Sequence, residues 1–247
     1  SKYGGSVLAT SIDKYCYITC RKLPPFFDHK HRIIYSKIET VKNNFQIQHP
    51  VVKAVLDWSN QQDGLEIHHD GDLPARSGLG SSSSFTVGLI HALNSLNGNY
   101  SNSKFLSQNA IHIERDVLRE NVGSQDQISA AYGGFNLIKF STDGSFVVDP
   151  VNISYSRKKD LEDSLMLFFT GVSRYSSDIA KSTIANIDKQ KEKFITLNQM
   201  VNEALEILTN EEVSLDKFGE LLNKSWEYKK SISNKISTKK IDEIFLF

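Results

Sequence analysis

Cysteine is scarce in this chain of 247 residues, which has only Cys16 and Cys20. They stand four apart in a β-branched, aromatic stretch around Ile12 to Thr19, and positions four apart on a strand share a face. A disulfide between them would strain an extended backbone, so buried free thiols in a reducing compartment are expected. A metal site there is disfavoured, because no histidine pair stands beside them at ligand spacing. His29 with His31, and His68 with His69, read as loop or strand-end histidines for want of a third ligand. An excess of either charge is lacking too: 29 lysines and arginines face 29 aspartates and glutamates, so no global field favours nucleic acid or an anionic membrane. Any anion the protein handles must be held locally. There is no apolar run of about 18 residues and no signal-peptide pattern, which points to a cytoplasmic protein that does not span a membrane. The chain starts at Ser1 rather than methionine and enters a strand by Val7, so a preceding piece is expected.

What is present is enough apolar residue, 39% of the chain, for a core in one or two domains. Ser6 to Cys20, Arg32 to Glu39 and Leu65 to His69 are rich in Val, Ile, Tyr and Thr and read as strands. A short helix, His49 to Ser59, interrupts them. Two helical stretches follow, Ser81 to Leu96 and Ser103 to Arg119, then Asp126 to Tyr132 and a strand Phe135 to Phe140. Asp143-Gly144 before Phe146 to Val148 is a hairpin signal. Leu165 to Phe169 reads as one more strand. The remainder is mainly helix, with Ile179, Ile187, Phe194, Leu197, Val201, Leu205 and Leu208 near a helical period. Helices and antiparallel-looking strands in blocks indicate an α+β fold, with a domain boundary near Arg157 dividing 1–157 from 158–247.

The segment from Asp72 through Pro74, Ser77, Gly78, Leu79, Gly80, Ser81, Ser82, Ser83 and Ser84 lies between a strand and a helix whose apolar stripe is Phe85, Leu89, Leu93 and Leu96. A helix N-terminus carries unpaired N–H groups and partial positive charge, and glycines permit the close approach a phosphate chain needs. Serine hydroxyls add donors and can complete a magnesium shell. The Walker pattern is absent, as no lysine follows Gly80. A flexible Ser/Gly linker or a plain serine N-cap is the competing reading, disfavoured by the flanking Pro74 and Leu79 and by the helix that follows.

Two acids complete the pattern. Glu114 borders the buried face marked by Ala110, Ile113 and Val117, where a carboxylate is costly without a cation or several hydrogen bonds. It reads either as a magnesium ligand or as an ion-pair partner of Arg115 or Arg119. Asp126 sits in Asn121-Val122-Gly123-Ser124-Gln125-Asp126-Gln127, a polar entry to a short helix. Alone it is a helix-dipole acid or a base that takes a hydroxyl proton for in-line attack on a γ-phosphate.

Together, Pro74 to Ser84, Glu114 and Gly123 to Gly134 resemble the signature of the galactokinase, homoserine kinase, mevalonate kinase and phosphomevalonate kinase (GHMP) superfamily. Within it, Glu120 to Gln127, Tyr132 to Asn136 and Phe168 to Arg174 are similar to D-glycero-D-manno-heptose 7-phosphate kinases. The resemblance runs over nearly the whole chain. It implies a ribosomal-protein-S5-like N-terminal domain and a ferredoxin-like C-terminal domain, with ATP and sugar between them. By that resemblance Pro74, Gly78, Leu79, Gly80, Ser81, Ser82 and Ser83 bind the triphosphate, and Ser82 and Glu114 hold Mg²⁺. Asp126 is then the base, and Arg174, Gly123 and Ser124 face the substrate. The superfamily's first motif, a glycine-rich sugar-contacting segment, and its third, a glycine-rich loop near the C-terminus, are not found; they are expected in residues beyond this sequence.

The activity so implied is transfer of the ATP γ-phosphate to the anomeric C1 hydroxyl of D-glycero-D-manno-heptose 7-phosphate, giving the 1,7-bisphosphate for nucleotide-activated heptose synthesis. Its partners are ATP, a sugar phosphate and, compatibly, a second copy in a homodimer. Two alternatives stand beside it. One is a superfamily kinase acting on fucose or another sugar. The other is a catalytically silent nucleotide- or sugar-binding protein.

Overall fold

The computed structural model describes residues 3–74, 77–168, 180, 184, 186–233 and 236–246. Packing groups them into two compact units, one of residues 11–133 and one of the described residues in 3–10, in 134–168 and from 180 onward.

The 11–133 unit is built on a four-stranded sheet in the order β2-β5-β3-β4, from β2 (Cys16–Lys22), β3 (His31–Ile34), β4 (Ile38–Val41) and β5 (Leu65–Gly71). β2 runs antiparallel to β5, with Cys16 opposite Gly71 and Lys22 opposite Leu65. β3 is antiparallel to β4 and parallel to β5. That parallel pair is an exception among strands that read as antiparallel-looking, and the chain makes its return through helix α1 (Pro50–Trp58). Pro50 suits the first turn because its fixed φ is already helical and its missing N–H would have no partner there.

Helix α2 (Ser81–Leu96) presents Phe85, Leu89 and Leu93 to the sheet, four residues apart as the apolar stripe predicts. Leu89 is fully buried, which stabilises the fold by about 1.5–3 kcal/mol relative to exposure. Gly88 permits the close approach to β2, because a Cβ there would stand 3.0 Å from Ile18 Cγ1. Ile33, Leu65 and Ile67 of the sheet meet Val52, Val55 and Leu56 of α1 and Phe85, Leu89 and Ile90 of α2 in one core. Cys16 and Cys20 are free, line one side of β2 and pack against this core, and burial pushes their thiols up to about 11 and about 12. Helices α3 (Ser103–Ile111) and α4 (Gln125–Tyr132) pack on α2 and on each other.

The second unit has a three-stranded antiparallel sheet in the order β1-β6-β7, from β1 (Gly5–Thr10), β6 (Phe135–Phe140) and β7 (Phe146–Pro150). The turn joining β6 and β7 is held by Ser145 N–H donating to Asp143 Oδ1 at 2.8 Å, and Gly144 takes φ +86°. Helices α5 (Tyr155–Asp163), α6 (Lys191–Thr209), α7 (Asp216–Lys230) and α8 (Lys239–Leu246) follow. Met200, Ala204, Ile207 and Leu221 form its core, joined by Leu8 and Leu197. None of the described helices is long and apolar enough to cross a membrane.

The α+β class is as anticipated, and several boundaries differ. Ser6 to Cys20 is two strands, because β1 pairs with β6 while β2 pairs with β5 in the other sheet. Arg32 to Glu39 holds a turn closed by Tyr35 N–H donating to the Lys37 carbonyl at 2.9 Å. Leu165 to Phe168 forms no strand among the described residues, and all four side chains are exposed; Phe169 lies outside them. Packing divides the chain at Gly133–Gly134 rather than near Arg157. Arg157 is no linker residue: it is buried, and its guanidinium donates to the carbonyls of Ile207, Leu208, Asn210 and Val213 around the end of α6.

Candidate active site

The glycine-serine run begins α2 as the sequence implies. Gly80 is the residue before the helix, at φ +72°, and it has no side chain to cap the first-turn amides of Ser81, Ser82 and Ser83. The ladder begins with Ser84 N–H donating to the Gly80 carbonyl at 2.9 Å. Gly78 is also left-handed, at φ +82°, and a Cβ there would meet nothing within 4 Å. Two left-handed glycines around an exposed Leu79 turn the backbone tightly into the helix without side-chain cover. Pro74 leads into the turn; residues 75 and 76 lie outside the described chain.

Asp126 stands at this turn. A Cβ built on Gly80 would lie 3.5 Å from Asp126 Cβ, 3.6 Å from its Cγ and 3.7 Å from Oδ2. The exposed carboxylate in the first turn of α4 therefore sits against the glycine that opens α2. Ser124 precedes α4 without giving a side-chain cap, and Gly123 borders open space.

Glu114 lies on a π-helical turn, His112–Val117, that continues α3. Such turns widen the helix by one residue and recur at functional sites. The turn ends short of Arg119, which takes a left-handed φ of +56°. Glu114 is 1% exposed. Its Oε1 accepts from Thr86 Oγ1 at 2.6 Å, and its Oε2 accepts from Ser83 Oγ at 3.0 Å and from Gln127 Nε2 at 2.5 Å. Burial pushes its carboxyl above the usual range, the three donors pull it back, and the Asp126 charge adds to the rise. Glu120 is raised as well, by burial and then by Glu114. Hydrogen bonds to a charged group contribute about 1.5–3 kcal/mol each, so this set makes an otherwise costly buried carboxylate tolerable.

Glu114 is thus brought together with Ser83, and Ser82, read as its companion, has an exposed side chain, its carbonyl 3.1 Å from the Thr86 Oγ1 that bonds Glu114 at the shorter distance. Among the described residues neither Arg115 nor Arg119 pairs with Glu114; Arg115 pairs with Asp116. Thr86 and Gln127 were not singled out in the sequence, although Thr86 lies three residues after Ser83 on one helix face and Gln127 directly follows Asp126. Arg174 lies outside the described residues.

No group of three or more His, Cys, Asp or Glu among the described residues could by itself hold a metal ion. Mg²⁺ asks for less, as it keeps several waters and takes one or two carboxylates together with phosphate oxygens. A carboxylate offers about four acceptor sites, and three of those of Glu114 are used by the three donors. Hard oxygens from Glu114 and the loop hydroxyls fit that ion.

Residues 44–134 match the model of the GHMP kinases N terminal domain. Over 99% of its length the chain is 28% identical to a D-glycero-alpha-D-manno-heptose 7-phosphate kinase of Campylobacter jejuni, of which it covers 75%. It is also 28% identical to a galactokinase of Pyrococcus furiosus, over 78% of this chain and 57% of that one. Among solved structures, a D-glycero-D-manno-heptose 1-phosphate kinase from Bacteroides thetaiotaomicron shares the fold, with a TM-score of 0.76 and 24% identity over 92% of this chain and 71% of that one.

Proposed function

From a chain that carries a GHMP kinase N-terminal domain within the GHMP kinase fold, we propose a sugar kinase that moves the γ-phosphate of ATP to the anomeric C1 hydroxyl of D-glycero-D-manno-heptose 7-phosphate. The products are the 1,7-bisphosphate and ADP. The observation that carries this reading is the seat of Asp126 against Gly80, which sets a carboxylate at the mouth of an uncapped helix N-terminus. Similarity to the Campylobacter jejuni enzyme supports the choice of acceptor.

In this reading the amides at Gly80 to Ser83 and the turn from Pro74 through Gly78 and Leu79 hold the triphosphate. Asp126 accepts the C1 hydroxyl proton as the new O–P bond forms and the bond from the γ-phosphorus to the β,γ-bridging oxygen breaks, releasing ADP. Glu114 and Ser82 would hold Mg²⁺, which would neutralise charge on the phosphates. Gly123, Ser124 and Arg174 serve the acceptor, with the guanidinium matched to the 7-phosphate as a bidentate fork. A cytoplasmic location belongs to the same proposal, supported by the need for ATP as donor.

Asp126→Asn tests the assignment, since it keeps the shape and removes the base. Turnover should fall by about 10²–10⁴-fold with ATP binding retained. Near-parental turnover would sink the role of Asp126. A sugar panel run alongside separates heptose 7-phosphate from unphosphorylated acceptors such as fucose or galactose. ATP binding with no transfer to any sugar would favour a silent binding protein.

A further inference from the structure

Gln127 is given no task by the reading above. It follows Asp126 on α4, is 1% exposed, and donates from Nε2 to Glu114 Oε2 at 2.5 Å. Its own Oε1 is buried and has no partner among the described residues. At a fully buried helix position, packing alone is served by an apolar side chain, and an acceptor buried without a donor is costly. The amide is therefore committed to one use, donation to the carboxylate. Thr86 and Ser83 reach that carboxylate from α2, whereas Gln127 reaches it from the helix that carries Asp126.

We infer that Gln127 is a positioning residue for phosphoryl transfer: its amide ties the Glu114 carboxylate, on its π-helical turn, to the first turn of α4. That buried contact links the carboxylate to the helix that carries Asp126, in addition to the packing of α3 on α4. The π-helical turn makes this tie necessary. A widened turn breaks the regular ladder, so the direction of Glu114 is set by its side-chain partners more than by the helix. Orientation of this kind governs rate, because a misplacement of about 1 Å between the carboxylate assigned to the metal and the one assigned to the acceptor hydroxyl is costly to turnover. The consequence for rate rests on the sugar-kinase reading; the contact does not.

The test compares Gln127→Met, which keeps length and apolar volume but removes the donor, with the parent. Three quantities are read: the thermal midpoint without ligand, the calorimetric affinity for ATP with EDTA and with Mg²⁺, and kcat and KM. Gln127→Met should fold and bind ATP in EDTA as the parent does. The gain in ATP affinity on adding Mg²⁺ and kcat should each fall about 10–100-fold, with KM for the sugar little moved. A lowered midpoint with an unchanged Mg²⁺ gain and unchanged kcat overturns the inference and leaves Gln127 a packing residue.

Should Gln127→Met not fold, the exchange pair Glu114→Gln with Gln127→Glu decides. It rebuilds the acid–amide bond in the opposite sense, so its midpoint should exceed those of both single variants while turnover stays lost. A midpoint no higher than theirs overturns the inference. Failure of the sugar-kinase reading is distinguishable, because the Mg²⁺ gain is measured without any acceptor. A parent whose ATP affinity does not respond to Mg²⁺ also overturns the inference.

Discussion

Alanine at Gly80 separates two things that the loop does at once. Gly80 holds φ +72° and Gly78 holds φ +82°. In either position an L-residue with a Cβ pays about 1–2 kcal/mol for the left-handed backbone. Steric conflict adds nothing at Gly78, where a Cβ meets open space, and little at Gly80, where its nearest neighbours stand at ordinary contact distances of 3.5–3.7 Å. Backbone strain is thus the shared cost, and it corresponds to a factor of about 5–30 in the population of the turn proposed to bind phosphate. Calorimetry with ATP should show both Gly78→Ala and Gly80→Ala weakened within that range. The neighbours at Gly80, however, are the Cβ, Cγ and Oδ2 of Asp126. A methyl there covers part of the carboxylate, so Gly80→Ala should also lower kcat, and Gly78→Ala should not. Unchanged ATP affinity in both variants would refute the phosphate-binding turn, and equal kcat in both would refute the placement of the base beside it.

Arg157→Met should destabilise the unit that contains α6, because the carbonyls of Ile207, Asn210 and Val213 each lose a donor now at 2.7, 3.2 and 2.7 Å. The loss is at least that of one such bond, about 1.5–3 kcal/mol, seen as a lowered thermal midpoint, with ATP affinity unchanged. An unaltered midpoint would count against Arg157 as the cap of α6. Acid should weaken the 11–133 unit through its histidines. Burial lowers His31, His49 and His69 below the ordinary 6.5, so the unfolded chain binds more protons, and stability present above that pH is lost as pH falls through 6.5 and below. His31 is fully buried, with Nε2 on Asn44 Oδ1 at 2.8 Å and Nδ1 accepting from Leu65 N–H at 3.3 Å. His31→Gln should lower stability at neutral pH and flatten this acid loss; a chemical-denaturation series from pH 7.5 to 5 with parallel curves for parent and variant would contradict the assignment.

Legibility in the sequence followed local physics. The stripe Phe85, Leu89, Leu93 and the Asp143-Gly144 turn act over a few residues, and both are found where they were read. The separation of β1 from β2 was not legible, because it depends on partners Phe135 to Phe140 and Leu65 to Gly71 far along the chain. Arg157 misled for the same reason: a charged run reads as solvated until the orphan carbonyls at the end of α6 are seen around it. At the site, glycines, serines and acids were visible as types. The partners of Glu114 were not, since Thr86 and Gln127 meet it across 28 and 13 residues and a mid-helix π-turn sets its direction.

The central claim is phosphoryl transfer to the C1 oxygen of a heptose 7-phosphate, and mass spectrometry of that sugar incubated with Mg-ATP tests it directly. The bisphosphate should appear in step with ADP, with the new phosphate on C1, and should be lost with Asp126→Asn. ADP formed only with an unphosphorylated sugar, or no phosphorylated product with any sugar, would contradict it.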